Sequence, residues 1–128
     1  MEPYNSTVDY KNGEIHFYCG TQYQTRLVKQ TAELCDIEPS KIFIHEQYMG
    51  GSFGALLETE CHAHAAVIAK AVGKPVKLLL SREEDTLNDK FRSPSYHKIT
   101  CGIDQAKAIQ GWEHPVVSAV TAYRHPLF

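Results

Sequence analysis

The stretch Tyr48-Met49-Gly50-Gly51-Ser52-Phe53-Gly54 joins two segments of different character and decides how the chain around it folds. Residues 41–46 before it form an apolar, strand-like run, and the alanine-rich residues after it, roughly 58–72, read as a helix. Glycines at such a junction permit positive φ angles and let backbone amides approach a ligand closely. A helix that follows can present free N–H groups to an anion. This segment, the glycine loop, predicts either a site for an anionic cofactor group or a plain connection.

The chain as a whole has the length and composition of one domain. Its 128 residues are 43% hydrophobic and 22% charged, which is typical of a globular protein with one core. Lys and Arg number 13 against 15 acidic residues, and no basic run occurs, so we expect no nucleic-acid partner. We therefore predict a single domain over residues 1–128.

The sequence indicates neither a signal peptide nor a transmembrane segment. No apolar run approaches the roughly 20 residues of a membrane-spanning helix. Glu2, Asn5 and Asp9 stand where a signal peptide would carry basic and apolar residues. The compartment stays open: cytoplasmic or, through a missing segment or a partner, periplasmic.

The residues before the glycine loop predict a hairpin, a helix and a strand. Asn12-Gly13, flanked by β-branched and aromatic residues, predicts a β-hairpin over residues 4–19. Thr21 and Gln24 match a capping box, so the first helix is expected to begin at Thr21. Its apolar face would consist of Leu27, Val28, Thr31 and Cys35.

The residues after the loop predict a helix and three strands. The second helix would end before Gly73 and Pro75, and its apolar face would consist of Leu57, Cys61, His64, Ala65, Ile68 and Val72. Further on we expect a short buried strand at 76–80, a polar turn at 81–85, irregular chain at 86–95, and strands at 96–103 and 109–119 around a turn at 104–107. The order ββαβαβ followed by ββ predicts an α+β fold with helices packed on a mixed sheet.

Six separated motifs resemble, in order and spacing, a segment of the large subunits of molybdenum hydroxylases. They are the MEPxNxT opening at residues 1–7, Thr21-Gln22, the GGxFG loop at 50–54, the helix exit at 69–77, the SREED turn at 81–85, and Arg92-Ser93-Pro94. The closest subset resembles isoquinoline 1-oxidoreductase β-subunits and bacterial aldehyde dehydrogenases, with xanthine dehydrogenase as a more distant relative. The resemblance covers about residues 1–118 and implies a molybdenum-cofactor-binding domain.

The resemblance also implies a set of cofactor contacts. In the family the glycine loop lies against the pterin and the oxygen ligands of molybdenum, and the glutamine of the TQ motif lies near those ligands. Backbone N–H groups can hold anionic oxygens, and a neutral amide can donate to one without adding charge. The cofactor would be molybdenum–molybdopterin, expected in its cytosine dinucleotide form and shared with segments outside this chain. Its contacts here would be Gln22, Gly50, Gly51, Ser52, Phe53 and Gly54.

The implied activity is hydroxylation of a small-molecule aldehyde or N-heterocycle by an oxidoreductase. The implied partners are the remainder of the large subunit and a [2Fe–2S] electron-transfer subunit, and a homo-oligomer stays open. In the family the catalytic base is a glutamate near the far end of a longer subunit, and no matching motif occurs here. We therefore assign no catalytic residue and expect the chain to be incomplete and inactive alone. Residues 122–128 look cut from a longer chain.

The sequence departs from the family next to the glycine loop. Ala55 and Leu56 stand where isoquinoline-type members have two arginines. Leu57 stands where xanthine dehydrogenase-like members have a pocket glutamate, and Glu58 follows one residue later. These departures support an alternative, a non-catalytic binding module or split-gene fragment that keeps the fold but has lost the cofactor.

Other residues carry competing interpretations. Cys61 and His64 suit two metal ligands on one helix face, but no second pair occurs, so we expect no metal site and a packed cysteine beside partly exposed histidines. All four cysteines are expected to be reduced and mostly buried. The acids at 83–85 are either acid–base groups or a solvated turn that caps a helix or pairs with lysines. We favour the turn, with an Arg82–Asp85 ion pair that fixes it. Phe53 packs either in the core or against the cofactor.

Overall fold

The structure, a computed structural model, describes residues 2–119, and the chain divides into two compact units that meet in sequence between Asp89 and Lys90. The first unit contains β1 (Asn5–Lys11), β2 (Glu14–Cys19), α1 (Gln24–Cys35), β3 (Ile42–Glu46), α2 (Glu60–Val72), β4 (Val76–Leu79) and α3 (Arg82–Asn88). The second contains β5 (Ser95–His97), β6 (Thr100–Ile103), β7 (Ile109–Glu113) and β8 (Val116–Ser118). The expectation of one domain over residues 1–128 stays a prediction.

A four-stranded mixed sheet in the order β3-β2-β1-β4 organises the first unit. β1 is antiparallel to both β2 and β4, whereas β2 and β3 are parallel and are joined through α1. α1 and α2 pack together, and α2 lies on β1. The α+β class with helices on a mixed sheet is confirmed.

The predicted hairpin is confirmed. Lys11 pairs with Glu14, so the turn consists of Asn12 and Gly13 alone. Their φ angles are 55° and 79°. A two-residue turn with both φ angles positive matches the right-handed twist of the strands it joins. This local signal fixes the register of the two central strands.

The core lies between one face of the sheet and the two long helices. By strand alternation Val8, Ile15 and Phe17 point to this face, and all three are fully buried. The predicted apolar face of α1 is confirmed, because Leu27, Thr31 and Cys35 are buried and Val28 is partly buried. The remaining members of the cluster are Cys19, Ile42, Ala65, Ala66 and Ala69.

α1 begins later than the capping box predicts. It starts at Gln24, with Tyr23 at the N-cap and no side-chain cap. The hydroxyl of Thr21 accepts from the N–H of Tyr23 at 3.2 Å, and the side chain of Gln24 donates to Glu46 at 2.6 Å. The predicted start at Thr21 is wrong. The side chain of Gln24, which a capping box would use at the start of the helix, instead bonds to the carboxylate of Glu46 on β3.

The buried face of α2 also differs from the prediction. Cys61, His62, Ala63, Ala65, Ala66 and Ala69 are buried, whereas His64, Ile68 and Val72 are exposed. Small side chains line the buried face, and they let the helix backbone approach the sheet closely. The larger apolar residues, which suggested the other face, lie at the surface.

Two expectations for residues 76–95 need correction. β4 is present, but it is an edge strand with half-buried and exposed residues rather than a buried one. The segment predicted as a polar turn and irregular chain contains α3, a helix capped by the hydroxyl of Ser81, which accepts from the N–H of Glu84 at 3.2 Å. Ser81 followed three residues later by Glu84 is a capping signal. The segment predicted as a turn at 81–85 is therefore the start of a helix.

The second unit consists of two short antiparallel pairs. β5 pairs with β8, and β6 pairs with β7. Residues 96–103 and 109–119, each predicted as one strand, are therefore each interrupted. The turn between β6 and β7 is confirmed by the bond from the N–H of Lys107 to the carbonyl of Asp104 at 3.0 Å. Residues 122–128 lie outside the described residues.

Candidate cofactor site

Two segments of the candidate site leave the sheet at the same edge. Because β2 and β3 are parallel, their carboxyl ends lie side by side, with Cys19 opposite Glu46. The N–H of Gln47 donates to the carbonyl of Cys19 at 3.1 Å and extends this pairing by one residue. Residues 20–23 and the glycine loop therefore start as neighbours, although some thirty residues separate them in sequence.

The glycine loop has the backbone conformation that its glycines predict. φ is positive at Gly51 (85°), Phe53 (53°) and Gly54 (89°). A Cβ added at Gly51 would lie 3.4 Å from the ring of Phe53 and would occupy a φ region that β-branched residues avoid. Larger residues are therefore disfavoured at position 51.

A turn of 3-10 helix, residues 55–57, separates the loop from α2. Thr59, the N-cap residue of α2, is fully buried, and its hydroxyl donates to the side-chain oxygen of Gln30 at 2.5 Å. The hydroxyl of Thr59 caps no N–H of the helix, and α2 begins at Glu60, with residues 55–59 between it and the loop, rather than directly after it. Donation to an anion by the first turn of α2 stays a prediction, and the loop itself carries further backbone donors.

The loop amides are available as such donors. Within residues 2–119, the N–H groups of Gly51, Ser52, Phe53 and Gly54 have no hydrogen-bond acceptor. Successive amides in a turn with positive φ angles form a concave anion-binding surface. The N–H of Gly50 is different, because it donates to the carboxylate of Glu2 at 3.1 Å.

Gln22 and Ser52, predicted from separate motifs, contact each other. The hydroxyl of Ser52 donates to the side-chain oxygen of Gln22 at 2.7 Å. Ser52 is buried and Gln22 is exposed. With its oxygen engaged, the amide of Gln22 keeps its NH₂ group as a donor beside the loop. The structure thus places a neutral donor next to the unpaired backbone amides.

Phe53 does not pack in the core. Its side chain is 72% exposed within the chain. The interpretation of Phe53 as a core residue is therefore wrong. The ring lies on the surface of the loop, beside Gly51.

Of the residues that stand at charged positions of the family, Leu56 faces inward and Leu57 is exposed. Leu56 is buried in a cluster with Tyr4 and Cys61. The Tyr4 hydroxyl donates to the carbonyl of Ala55 at 2.5 Å, and burial together with nearby carboxylates raises its pKa, so it remains a donor. Glu58 forms an ion pair with Arg26 at 3.2 Å. The contacts of residues 55–58 therefore hold the glycine loop against the rest of the first unit.

The alternative metal site is not assembled. Within residues 2–119, no three His, Cys, Asp or Glu side chains lie together so that they could hold a metal ion. Cys61 is buried, which raises the pKa of its thiol to about 11, and His64 is exposed. The expectation of partly exposed histidines is wrong for His62, which is fully buried and whose burial lowers its pKa to about 4.

The cysteine and ion-pair predictions are confirmed. All four cysteines are free, and three of them are buried, with Cys101 exposed. Arg82 bonds to Asp85 at 2.8 Å across one turn of α3. Asp85 is buried, so this pair secures the start of the helix rather than offering a solvent-exposed acid.

Sequence reasoning missed Glu46, whose carboxylate anchors the segment that carries Gln22. One oxygen accepts from the backbone N–H of Thr21 at 3.2 Å and the other from the side chain of Gln24 at 2.6 Å. A sequence signal did exist. Ile42, Ile44 and Glu46 alternate along β3, which places a carboxylate on the helix-covered side at the carboxyl end of the strand.

No helix of the described residues combines the length and apolar character needed to cross a membrane.

Comparison with known proteins supplies the family. The protein-family model described as molybdopterin cofactor-binding domain matches residues 1–127 of the sequence. Membrane-bound aldehyde dehydrogenase [pyrroloquinoline-quinone] of Gluconacetobacter polyoxogenes is 32% identical over 115 residues, which cover 89% of this chain and 15% of that protein. Isoquinoline 1-oxidoreductase subunit beta of Brevundimonas diminuta is 33% identical over 107 residues, which cover 83% of this chain and 13% of that protein.

A solved structure agrees with the fold. Quinoline 2-oxidoreductase from Pseudomonas putida 86 superposes with a TM-score of 0.66 at 20% identity, over 91% of this chain and 15% of that chain. The chain thus spans about 13–15% of the length of these three proteins. With a family model that covers nearly its whole length and motifs in matching order, the chain belongs to the molybdopterin cofactor-binding domain family.

Proposed function

We propose that this chain holds part of the molybdenum–molybdopterin cofactor through Gln22 and residues 50–54. The observation that carries the proposal is the 2.7 Å hydrogen bond from Ser52 to Gln22, which joins the two predicted motifs. That bond brings the side-chain amide of Gln22 to the glycine loop, in which the N–H groups of residues 51–54 have no acceptor within residues 2–119. This donor set suits a group rich in anionic oxygens.

Each part of the site has a separate task in this proposal. The N–H groups of residues 51–54 bind anionic oxygens, and the absence of side chains at Gly51 and Gly54 keeps the backbone accessible. Gln22 donates to an oxygen without adding charge. The exposed ring of Phe53 offers an apolar surface at the edge of the site. When bound, the cofactor supplies the redox centre, and this chain supplies binding and orientation.

The activity proposed for the whole protein is oxidative hydroxylation of an aldehyde or an N-heterocycle. The names of the two relatives described above support both substrate classes. We propose that the cofactor is the cytosine dinucleotide form. The remaining cofactor contacts and the catalytic base would come from the remainder of the large subunit. Electrons would leave through a [2Fe–2S] subunit, and a homo-oligomer is compatible with this arrangement.

The loop assignment is tested by Gly51→Val with Gly13→Val as its matched control. Both glycines have similar positive φ angles, 85° and 79°, but Gly13 lies in the hairpin turn. We expect Gly51→Val to lower molybdenum and pterin content at least about tenfold, because the side chain blocks the approach of the backbone to its ligand. Gly13→Val should keep both contents at the wild-type level per folded protein.

The measurement is elemental analysis and pterin fluorescence of protein produced beside the rest of the large subunit and its iron–sulfur partner in cells that make the cofactor, with circular dichroism as the folding check. Full metal retention in a folded Gly51→Val protein would reject the loop assignment. An equal loss in both variants would reject it as well, because backbone strain alone would then explain the effect.

A second candidate function is a binding module that keeps the fold without the cofactor. The observation that favours it is the apolar cluster of Tyr4, Leu56 and Cys61, since the resemblance implies an arginine at position 56 in isoquinoline-type members. It predicts wild-type protein free of molybdenum and pterin even when produced beside the rest of the subunit and its iron–sulfur partner. Stoichiometric molybdenum would exclude it.

A further inference from the structure

We propose that Glu46 is a positioning residue that fixes Gln22 against the glycine loop. The identity of the group that Gln22 meets rests on the proposed function, whereas the positioning itself rests on contacts within this chain. Glu46 lies at the carboxyl end of β3, immediately before the loop segment, and Gln22 lies in the segment that follows β2.

The carboxylate of Glu46 accepts hydrogen bonds from residues on both sides of Gln22. Its Oε1 accepts from the backbone N–H of Thr21 at 3.2 Å, and its Oε2 accepts from the Nε2 of Gln24 at 2.6 Å. Thr21 precedes Gln22 directly, and Gln24 is the first residue of α1. The two oxygens therefore bracket the turn that presents Gln22.

This turn has little regular structure of its own. It precedes α1, whose N-cap residue Tyr23 makes no side-chain cap. Its other anchor is the carbonyl of Leu56, which accepts from the N–H of Gln22 at 3.1 Å and from the hydroxyl of Thr21 at 3.4 Å. Without the Glu46 carboxylate, the N–H of Thr21 loses its acceptor. The hydrogen bonds to the carbonyl of Leu56 would then hold the turn without support from β3.

The backbone of Glu46 is itself held rigidly. Glu46 pairs with Cys19 in the parallel ladder, and the next residue, Gln47, continues that pairing at 3.1 Å. A carboxylate on a fixed strand end is a rigid reference point, and hydrogen bonds to an ionised acceptor are stronger than neutral ones. The side chain is solvent-exposed, so its substitution removes contacts without opening a cavity in the core.

The test compares Glu46→Ala, Glu46→Gln and Glu33→Ala in the full chain, produced beside the rest of the large subunit and its iron–sulfur partner in cells that make the cofactor. Glu33 is an exposed carboxylate on α1 without a hydrogen-bond partner within residues 2–119, so Glu33→Ala controls for the loss of one negative charge. Glu46→Gln keeps an oxygen that can accept from Thr21 and serves as the conservative rescue. The readouts are amide hydrogen exchange of residues 20–24, exchange of the hairpin at 5–19, and molybdenum content.

We expect Glu46→Ala to raise exchange at residues 20–24 at least about tenfold and to leave the hairpin unchanged, because the lost bonds are local to the turn. Glu46→Gln should recover most of the protection, and Glu33→Ala should match the wild type. Molybdenum content should fall several-fold in Glu46→Ala and recover in Glu46→Gln.

Wild-type exchange at residues 20–24 in Glu46→Ala would overturn the inference. Equal acceleration of the hairpin would also overturn it, because Glu46 would then stabilise the whole unit rather than position Gln22. Wild-type protein without molybdenum would reject the proposed function alone, since the exchange readouts still decide whether Glu46 fixes the turn.

Discussion

His62 is a buried ionisable side chain in the core of the first unit. Neither ring nitrogen has a hydrogen-bond partner within residues 2–119, and the residue is fully buried on α2. Burial lowers its pKa from 6.5 to about 4, and the carboxylate of Glu46 acts in the opposite direction but more weakly. The side chain is therefore neutral in the folded chain at neutral pH.

This neutrality predicts a pH dependence of stability. Between pH 6.5 and about 4 the unfolded chain protonates His62 and the folded chain does not, so the free energy of unfolding falls as the pH is lowered through this window. The full shift corresponds to about 3 kcal/mol, as an order of magnitude. Urea unfolding at several pH values should show a smaller pH dependence for His62→Leu than for the wild type.

His64→Gln is the control for that measurement, because His64 is exposed two residues along the same helix. Its pH dependence should follow the wild type. Identical pH profiles for His62→Leu and the wild type would contradict the assignment of a buried neutral imidazole.

At the scale of elements, α2 lies close to the sheet because alanines form its buried face. Ala63, Ala65, Ala66 and Ala69 are fully buried. Ala66→Leu should lower the free energy of unfolding by about 1–3 kcal/mol, because the added carbons have no space in a packed core.

Ala71→Leu, at an exposed position of the same helix, should change the stability little. Urea titration of both variants measures the difference. Equal stabilities would mean that the helix is not seated as closely as its small residues indicate.

Local signals predicted the elements that local residues determine. Asn12-Gly13 specified the hairpin because the turn needs only its own two residues, and two loop glycines, Gly51 and Gly54, have the positive φ angles that glycine permits, whereas the positive φ of Phe53 was not predicted. The start of α1 could not be predicted in this way. Gln24 bonds to Glu46, a residue 22 positions away that only the folded sheet brings close.

The candidate site follows the same division. Gln22 and Ser52 were both predicted, but from a family resemblance and from separate motifs, and the bond between them exists only because β2 and β3 pair in parallel. The buried face of α2 was predicted poorly. The large apolar residues suggested one face of the helix, whereas the face that is buried consists mostly of alanines.

At the scale of the whole molecule, the chain corresponds to 15% and 13% of the lengths of its two described relatives. In the proposed site, Gln22 and the glycine loop supply donors, and the catalytic base would come from the remainder of the large subunit. We therefore expect the polypeptide that carries these peptides in the source cells to be several-fold larger than 14.4 kDa. Intact-mass measurement of that polypeptide is the check.

A native species near 14.4 kDa would contradict this expectation. The binding-module alternative would then gain support, and cofactor binding would require a partner chain for the remaining contacts. In the second unit, the large apolar residues of β5–β8 are exposed within the described chain, Trp112 and Val117 among them.

The length of the connection between α1 and β3 determines the site, although none of its residues lies there. Residues 36–41 set the register in which Cys19 meets Glu46. Side chains alternate along a strand, so a slip of one residue would turn Glu46 to the opposite face of the sheet, where His45 now stacks on Tyr18. An insertion or deletion in this surface connection would therefore act on Gln22 as directly as a substitution beside it.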